Sequence, residues 1–252
     1  MRDVVYVLDG GSSIRLYNAT THRRLAYIVI TGLMYESDIA ACELTSQLYV
    51  ADRDECVWRV SFDGVDIQRW LTWSPPDRFR PHRLSVTSSR LLVTSRRDSQ
   101  LRQFDAAGGN ELRRVGLPDY MKPLHAVESP TATFIVDHFN TQLAQYQVSE
   151  VSTEGQVLRQ FSGSSLGVPE HIAVDRQGNI FVADNGNGCI LLLDAQLSLC
   201  RVIIDERQLN DTLPHRRYTE QRPQRLCYMD QSGQLLVGLS HDGVAVFDVL
   251  PL

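Results

Sequence analysis

Short runs of apolar residues alternate with polar turns along the whole chain, and the runs recur at a nearly constant spacing. Steps of 43, 43, 43, 46 and 55 residues separate the equivalent valines Val7, Val50, Val93, Val136, Val182 and Val237. β-Branched and aromatic residues dominate these runs, which is typical of β-strands. A repeat in the low forties that contains several short strands has the period of a β-propeller blade.

Each repeat contains up to four strand-like runs separated by turn residues. In the fifth repeat three of these runs cover 170–175, 179–184 and 190–194, and a turn at Gln177-Gly178 joins the first two. We predict an all-β fold: a six-bladed β-propeller of four-stranded antiparallel blades, with residues 1–252 as a single domain. The first repeat lacks a first strand and the last lacks a fourth, so we expect 22 strands instead of 24.

Residues 169–196 resemble an NHL repeat. That family's pattern has a proline, a hydrophobic first strand ending in aspartate, a glycine turn, an aromatic-Val-Ala-Asp second strand and an asparagine before the third strand. The matching residues are Pro169, Asp175, Gly178, Phe181, Val182, Ala183, Asp184 and Asn187. Cys189 departs from the pattern, because the family commonly has a basic residue before the third strand. The resemblance implies the propeller fold but no single function, since NHL propellers include RNA readers, protein-docking modules and lyases.

The starts of the first strands carry the most informative polar residues. In a propeller these strands line the central channel and begin on one face, which we term the top face. Counting two residues beyond the proline of each repeat gives Arg83, His125, His171 and Arg225, and the equivalent residue of the second repeat is Asp38. Together with His82 they are predicted to bind a ligand at the channel mouth. We expect Arg83 and Arg225 to be surface residues that folding does not require.

The loops between second and third strands return to the same face and add further polar side chains. The candidate residues in these loops are Arg53, Arg96, Arg97, His138, Asn140, Asn185 and Asn187. A longer insertion at 205–222 contains His215, Arg216, Arg217 and Tyr218. Insertions on a rigid scaffold often carry recognition, although the mixed charge of this one fits a solvated loop equally well.

Composition and charge limit the partners and the compartment. The net charge of −5 gives no general reason to bind nucleic acid, and no apolar run is long enough to span a membrane. The five cysteines lack metal-ligand spacing and lie in or beside predicted strands: Cys42, Cys56, Cys189, Cys200 and Cys227. We expect buried, reduced thiols, a reducing compartment and therefore a cytoplasmic location, for this chain or for a larger protein of which it is a fragment.

A metal site finds little support in the sequence, because zinc needs three or four converging ligands. The amidating lyases that share this propeller type have a histidine directly after the proline of a first strand in alternating blades. Only His82 resembles them in this respect, since His125 and His171 come one residue later and from adjacent repeats. We predict no metal and no cofactor. The aspartates that end second strands (Asp9, Asp52 and Asp184) are expected to accept backbone N–H bonds.

These features favour a non-catalytic recognition module whose partner is a protein or peptide, most simply an acidic segment bound at the top face. Arginine can hold carboxylates with two parallel hydrogen bonds, and protonated histidine would add to the attraction. One alternative is a metal-assisted lyase or hydrolase that uses a histidine at the channel mouth. A second alternative is a single-stranded RNA-binding protein, which the net charge and the few exposed aromatic residues disfavour. No membrane partner is expected.

Overall fold

The computed structural model has two compact units, Met1–Arg114 (unit 1) and Val115–Leu252 (unit 2). Its described residues are 4–8, 11–53, 56–74, 76–77, 79–211, 220–240 and 243–249. Asp9 and the insertion residues His215, Arg216, Arg217 and Tyr218 lie outside them. The prediction of a single domain stays a prediction.

Unit 1 contains three antiparallel sheets in which each strand pairs with the next one along the chain. The first sheet consists of β1 (Val4–Leu8), β2 (Ser13–Asn18) and β3 (Arg24–Val29). The second consists of β4 (Glu36–Cys42), β5 (Gln47–Asp52), β6 (Cys56–Ser61) and β7 (Ile67–Thr72). The third consists of β8 (Arg83–Thr87), β9 (Arg90–Ser95), β10 (Gln100–Asp105) and β11 (Glu111–Gly116), which crosses the boundary between the units.

Unit 2 repeats this arrangement. Its first sheet consists of β12 (Met121–Glu128), β13 (Phe134–Asn140), β14 (Gln145–Val151) and β15 (Val157–Phe161). The next consists of β16 (Pro169–Val174), β17 (Ile180–Asp184), β18 (Cys189–Leu193) and β19 (Leu199–Ile204). A short helix, α1 (Glu206–Asp211), precedes the last sheet, which consists of β20 (Pro223–Met229), β21 (Gln234–Leu239) and β22 (Gly243–Asp248).

In the middle sheet of each unit, both faces of the second strand are buried, because that sheet packs against a sheet on either side. In unit 1, Leu48 and Val50 of β5 lie in a core shared with the first sheet. Tyr49 and Ala51, which alternate with them, lie in a second core shared with the third sheet. Successive side chains of a strand point to opposite faces, so a strand buried on both faces reads as a continuous apolar run.

The same division occurs in unit 2 at β17. Ile180 and Val182 lie in a core that includes residues of β13 and β14. Phe181 and Ala183 lie in a core that includes residues of β20 and β21. The outer strand β19 is exposed along most of its length, which fits its position at the edge of the sheet.

The predicted fold class is confirmed. The described residues form six antiparallel sheets, the blades of a β-propeller fold, and the first and last have three strands each. The 22 strands of the described chain equal the number expected. No helix among the described residues is long and apolar enough to cross a membrane.

The expectation of five buried cysteines is partly wrong. All five thiols are free, but Cys200 and Cys227 are exposed. Cys200 lies on the outer strand β19, where the side chains face solvent. Cys227 lies between Leu226 and Tyr228. Leu226 is part of the core of the last two blades, and Tyr228 packs against that core. Strand alternation therefore turns the Cys227 side chain away from that core.

We expect Val182→Ala to lower the free energy of unfolding by about 2 kcal/mol, because the truncated side chain leaves a cavity in a close-packed core. Val182 is fully buried, whereas Val202 on β19 is 50% exposed and provides the matched control. The same substitution at Val202 should cost less than about 0.5 kcal/mol. Chemical denaturation of both variants measures the difference, and equal losses would contradict the assignment of Val182 to the core.

Candidate functional site

A β-bulge lies at the same position in every first strand of unit 2, directly after the proline near the strand's start. The ladder register shifts there in β12, β16 and β20. The residues that follow the bulge are the candidates His125, His171 and Arg225. A bulge redirects the side chains beside it, so these three residues are set apart from the regular alternation of their strands.

The two histidines connect consecutive first strands. His125 Nδ1 accepts a hydrogen bond from the backbone N–H of Ile172 at 3.3 Å. His171 Nδ1 accepts one from the backbone N–H of Leu226 at 3.4 Å. Both imidazoles are buried, and their rings stack with centroids 3.8 Å apart. Because Nδ1 acts as an acceptor, each ring is neutral with its proton on Nε2. Nε2–H is then the donor of each ring, and the neutral ring could bind a metal ion only if its Nδ1 gave up the backbone N–H bond.

Unit 1 uses the equivalent residues in the same way. The Asp38 carboxylate is 2% exposed and accepts a hydrogen bond from the backbone N–H of Leu84 at 2.8 Å. The Arg83 guanidinium is also buried and donates to the backbone carbonyl of Ser37. Ser37 Oγ in turn donates to the carbonyl of His82 at 2.7 Å. These side chains therefore join β4 to the start of the neighbouring blade.

The expected exposure of Arg83 is wrong, because the side chain is buried against β4 of the neighbouring blade, where it donates to the Ser37 carbonyl. Arg225 is half-buried and donates to the carbonyl of Gln224 at 2.7 Å. A ligand-binding role for Asp38, His82, Arg83, His125, His171 and Arg225 stays a prediction.

The candidate loop residues fall into two groups. Arg53, Arg96 and Arg97 are exposed, and their guanidinium groups form no hydrogen bond or ion pair with the described part of the chain. Asn185 and Asn187 have structural contacts. Asn185 Nδ2 donates to the carbonyl of Pro223 at 3.3 Å, and Asn187 Nδ2 donates to the Asp184 carboxylate at 2.8 Å.

His138 and Asn140 do not lie in a loop, which corrects their placement from the sequence. Both are buried residues of β13, which extends to Asn140 because its pairing with β14 continues to Gln145. Asn140 Nδ2 donates to Gln147 Oε1 at 2.9 Å. His138 Nε2 lies 2.9 Å from Ser149 Oγ. Burial lowers the pKa of His138 to about 4, so its imidazole is neutral at physiological pH.

Asp52 and Asp184, which end second strands, accept backbone N–H bonds as the sequence predicted, and the donors belong to the loops that enter the same blades. Asp184 accepts backbone N–H bonds from Gly167 at 2.8 Å and Val168 at 3.0 Å. Asp52 accepts them from Tyr35 at 2.9 Å and Met34 at 3.4 Å. Both carboxylates are fully buried.

Met34 and Tyr35 are surface residues that the sequence analysis missed. Their side chains are 60% and 63% exposed, although both are apolar or aromatic. The sequence does contain a signal for this surface. Met34 and Tyr35 are adjacent apolar residues in a loop, and Asp52 at the end of a second strand predicts that such a loop is hydrogen-bonded. The polar and charged residues on which the predicted site rests do not include this pair.

We expect Arg83→Ala to lower the free energy of unfolding by about 2 kcal/mol, because a buried charge-assisted hydrogen bond is lost. Arg97→Ala removes the same side chain from an exposed loop and should cost less than about 0.5 kcal/mol. Urea denaturation compares the two variants. A fully stable Arg83→Ala protein would show that the contact with Ser37 contributes nothing to folding.

We expect His138 to make the protein less stable in acid. An unfolded histidine protonates near pH 6.5 and the folded one only near pH 4, so between these values the unfolded state binds more protons. Stability from this group is complete above pH 6.5 and falls as the pH drops, by about 3 kcal/mol at pH 4.

The test of this acid sensitivity is urea denaturation of wild type and His138→Gln at pH 7.5 and pH 4. The variant should lose about 3 kcal/mol less than wild type between the two values. The exposed His22 provides the control, and His22→Gln should show the wild-type pH dependence. An unchanged pH dependence in His138→Gln would contradict the assignment.

The chain is similar to known proteins in one repeat and in its overall fold. Residues 166–191 match the NHL repeat family. A protein of unknown function from Bacteroides caccae is 15% identical, with a TM-score of 0.69 over 93% of this chain and 81% of that chain. Hydrazine synthase from Kuenenia stuttgartiensis is 11% identical, with a TM-score of 0.65 over 98% of this chain and 92% of that chain. No curated protein matches the sequence.

At these identities the two structural relatives show the fold and nothing more. The match at 166–191 lies in the repeat where the sequence resemblance was strongest, so the resemblance is confirmed there. The chain is a six-bladed β-propeller that contains an NHL repeat at residues 166–191.

Proposed function

We propose that this chain is a non-catalytic recognition module that binds an acidic segment of a protein partner. An NHL-type propeller is consistent with a protein-interaction module. The proposed binding surface lies in unit 1 and consists of Met34, Tyr35, Arg53, Arg96 and Arg97. We call this set the arginine patch.

The observation that carries the proposal is an exposed apolar pair held rigidly beside an arginine. The backbone N–H groups of Met34 and Tyr35 donate to the buried Asp52 carboxylate. The backbone N–H of Arg53 donates to the Tyr35 carbonyl at 2.7 Å. A loop fixed in this way loses little conformational freedom when a partner binds, which favours affinity.

The second blade and the third blade contribute equivalent parts of the patch. Arg53 follows β5, and Arg96 follows β9, so both begin the loop after the second strand of their blade. Neighbouring blades share a core, so these loops are held on one rigid support. The arrangement suits a partner segment that runs along two adjacent loops.

The exposed charge of the patch favours an acidic partner. In the same unit, the buried Arg102 has a carboxylate partner within the chain, because it donates to both oxygens of Asp77 at 2.5 and 2.7 Å. Arg96 and Arg97 have no such acceptor among the described residues. Arginine binds carboxylates with two parallel hydrogen bonds, and Tyr, Met and Arg are enriched at protein interfaces.

The experiment is a peptide-display selection on the immobilised chain, followed by fluorescence anisotropy with the strongest selected peptide. We expect enrichment of peptides that combine Asp or Glu with an apolar residue. Arg96→Ala/Arg97→Ala and Tyr35→Ala should each weaken binding by about tenfold, since one lost interfacial anchor costs about 1.4 kcal/mol or more.

Arg113→Ala is the matched control, because Arg113 is exposed on the outer strand β11 and lies outside the patch. It should bind like wild type. Selection of basic peptides, or binding that none of the patch variants weakens, would contradict the proposal. Binding of a poly(U) oligonucleotide that falls steeply with salt would replace it with the RNA alternative.

A further inference from the structure

Unit 2 contains a pocket of about 290 Å³ between the fifth and sixth blades. It is lined by the turn that joins β16 to β17, by the turn that joins β20 to β21, and by Val249 beyond β22. In the fifth blade, these turns lie at the opposite end of the sheet from His171 and Asn185. The pocket is therefore separate from the residues selected from the sequence.

An aromatic pair forms the apolar wall of the pocket. The rings of Phe181 and Tyr228 stack with centroids 4.8 Å apart and an interplanar angle of 23°. Phe181 is buried and Tyr228, which carries the phenol oxygen, is half-buried, and both residues line the pocket. No described residue forms a hydrogen bond with that phenol oxygen.

Two carboxylates give the pocket its charge. Asp175 accepts hydrogen bonds from the backbone N–H groups of Gln177 and Asn179, at 2.9 and 2.8 Å, and from Asn179 Nδ2 at 2.7 Å. It has no cationic partner among the described residues. Asp230 lies 3.4 Å from the Nε of Arg176. Since Arg176 pairs with only one of them, these three side chains leave one formal negative charge in the pocket.

Both carboxylates lie near the tyrosine. Burial raises the pKa of Tyr228 above its usual value, and the charges of Asp175 and Asp230 raise it further. The ring therefore lies in a region of negative potential. A cation beside it gains from the carboxylates and from the electron-rich face of the ring.

The side chain of Arg176 already places a guanidinium group at the edge of the pocket. Its side chain is 78% exposed and is held by one loose ion pair. Such a pair contributes little to stability, so an incoming cation can displace it at small cost.

We propose that this pocket binds a guanidinium or ammonium group, with Asp175 as the anionic partner and Tyr228 as the aromatic face. The binding chemistry is opposite in charge to that of the arginine patch, and the residues belong to a different unit. The pocket therefore goes beyond the proposed function, and either site can fail without the other.

The experiment is NMR titration of the full chain with two probes: arginine amide and the blocked tripeptide acetyl-Gly-Arg-Gly-amide. The neutral isostere acetyl-Gly-citrulline-Gly-amide is the matched ligand control. We expect the arginine probes to shift the signals of the Asn179 side-chain amide and Gly233. The citrulline tripeptide should bind at least about tenfold more weakly, since hydrogen bonds to charged groups are stronger than neutral ones.

Three variants locate the interaction. Asp175→Asn should weaken binding by about tenfold, and Asp230→Asn provides a second test if the first variant disturbs its turn. Tyr228→Phe should bind within about twofold of wild type, because it keeps the aromatic face.

Tighter binding of the tripeptide than of arginine amide supports a protein segment as the source of the cation, and equal binding supports a small molecule. Equal binding of citrulline and arginine probes, or wild-type affinity in both aspartate variants, overturns the proposal.

Discussion

Burial of both faces of the inner strands is the constraint on which the rest of this structure depends. Each blade between two neighbours places alternate residues of its second strand in two different cores, as Leu48 and Tyr49 show in unit 1. In β5 and β17 no polar face is available, so the interior of each strand is apolar and its polar residues lie at the ends. The blade ends therefore carry the chemistry of the molecule.

The same constraint explains why the most conspicuous polar residues have structural contacts. Backbone N–H groups at the start of a buried strand need acceptors, because an unpaired buried donor is costly. Asp38, His125 and His171 supply those acceptors to the next blade. Arg83 supplies a donor to a buried carbonyl. These contacts join neighbouring blades, whereas other side chains project beyond the strand ends into solvent.

Two surfaces meet that description, and they differ in charge. The arginine patch of unit 1 combines exposed cations with an apolar pair anchored by Asp52. The pocket of unit 2 combines the Asp175 carboxylate with the Tyr228 ring. Both use turns that an aspartate stabilises through its hydrogen bonds. An aspartate that orders a turn fixes the positions of the neighbouring side chains before any partner binds.

The sequence by itself determined the number of blades, the strand order and the aspartates that order the loops. Those features depend on local periodicity and on contacts between neighbouring strands, which the residue pattern records directly. The tertiary structure alone decided exposure at the strand starts, where the adjoining blade buries Arg83 and where a bulge precedes the buried His171. It also decided that His138 continues a strand, and that Asp175 and Tyr228 meet in one pocket. Burial and proximity there depend on the packing of separate blades, and no local pattern encodes which side chains such packing covers.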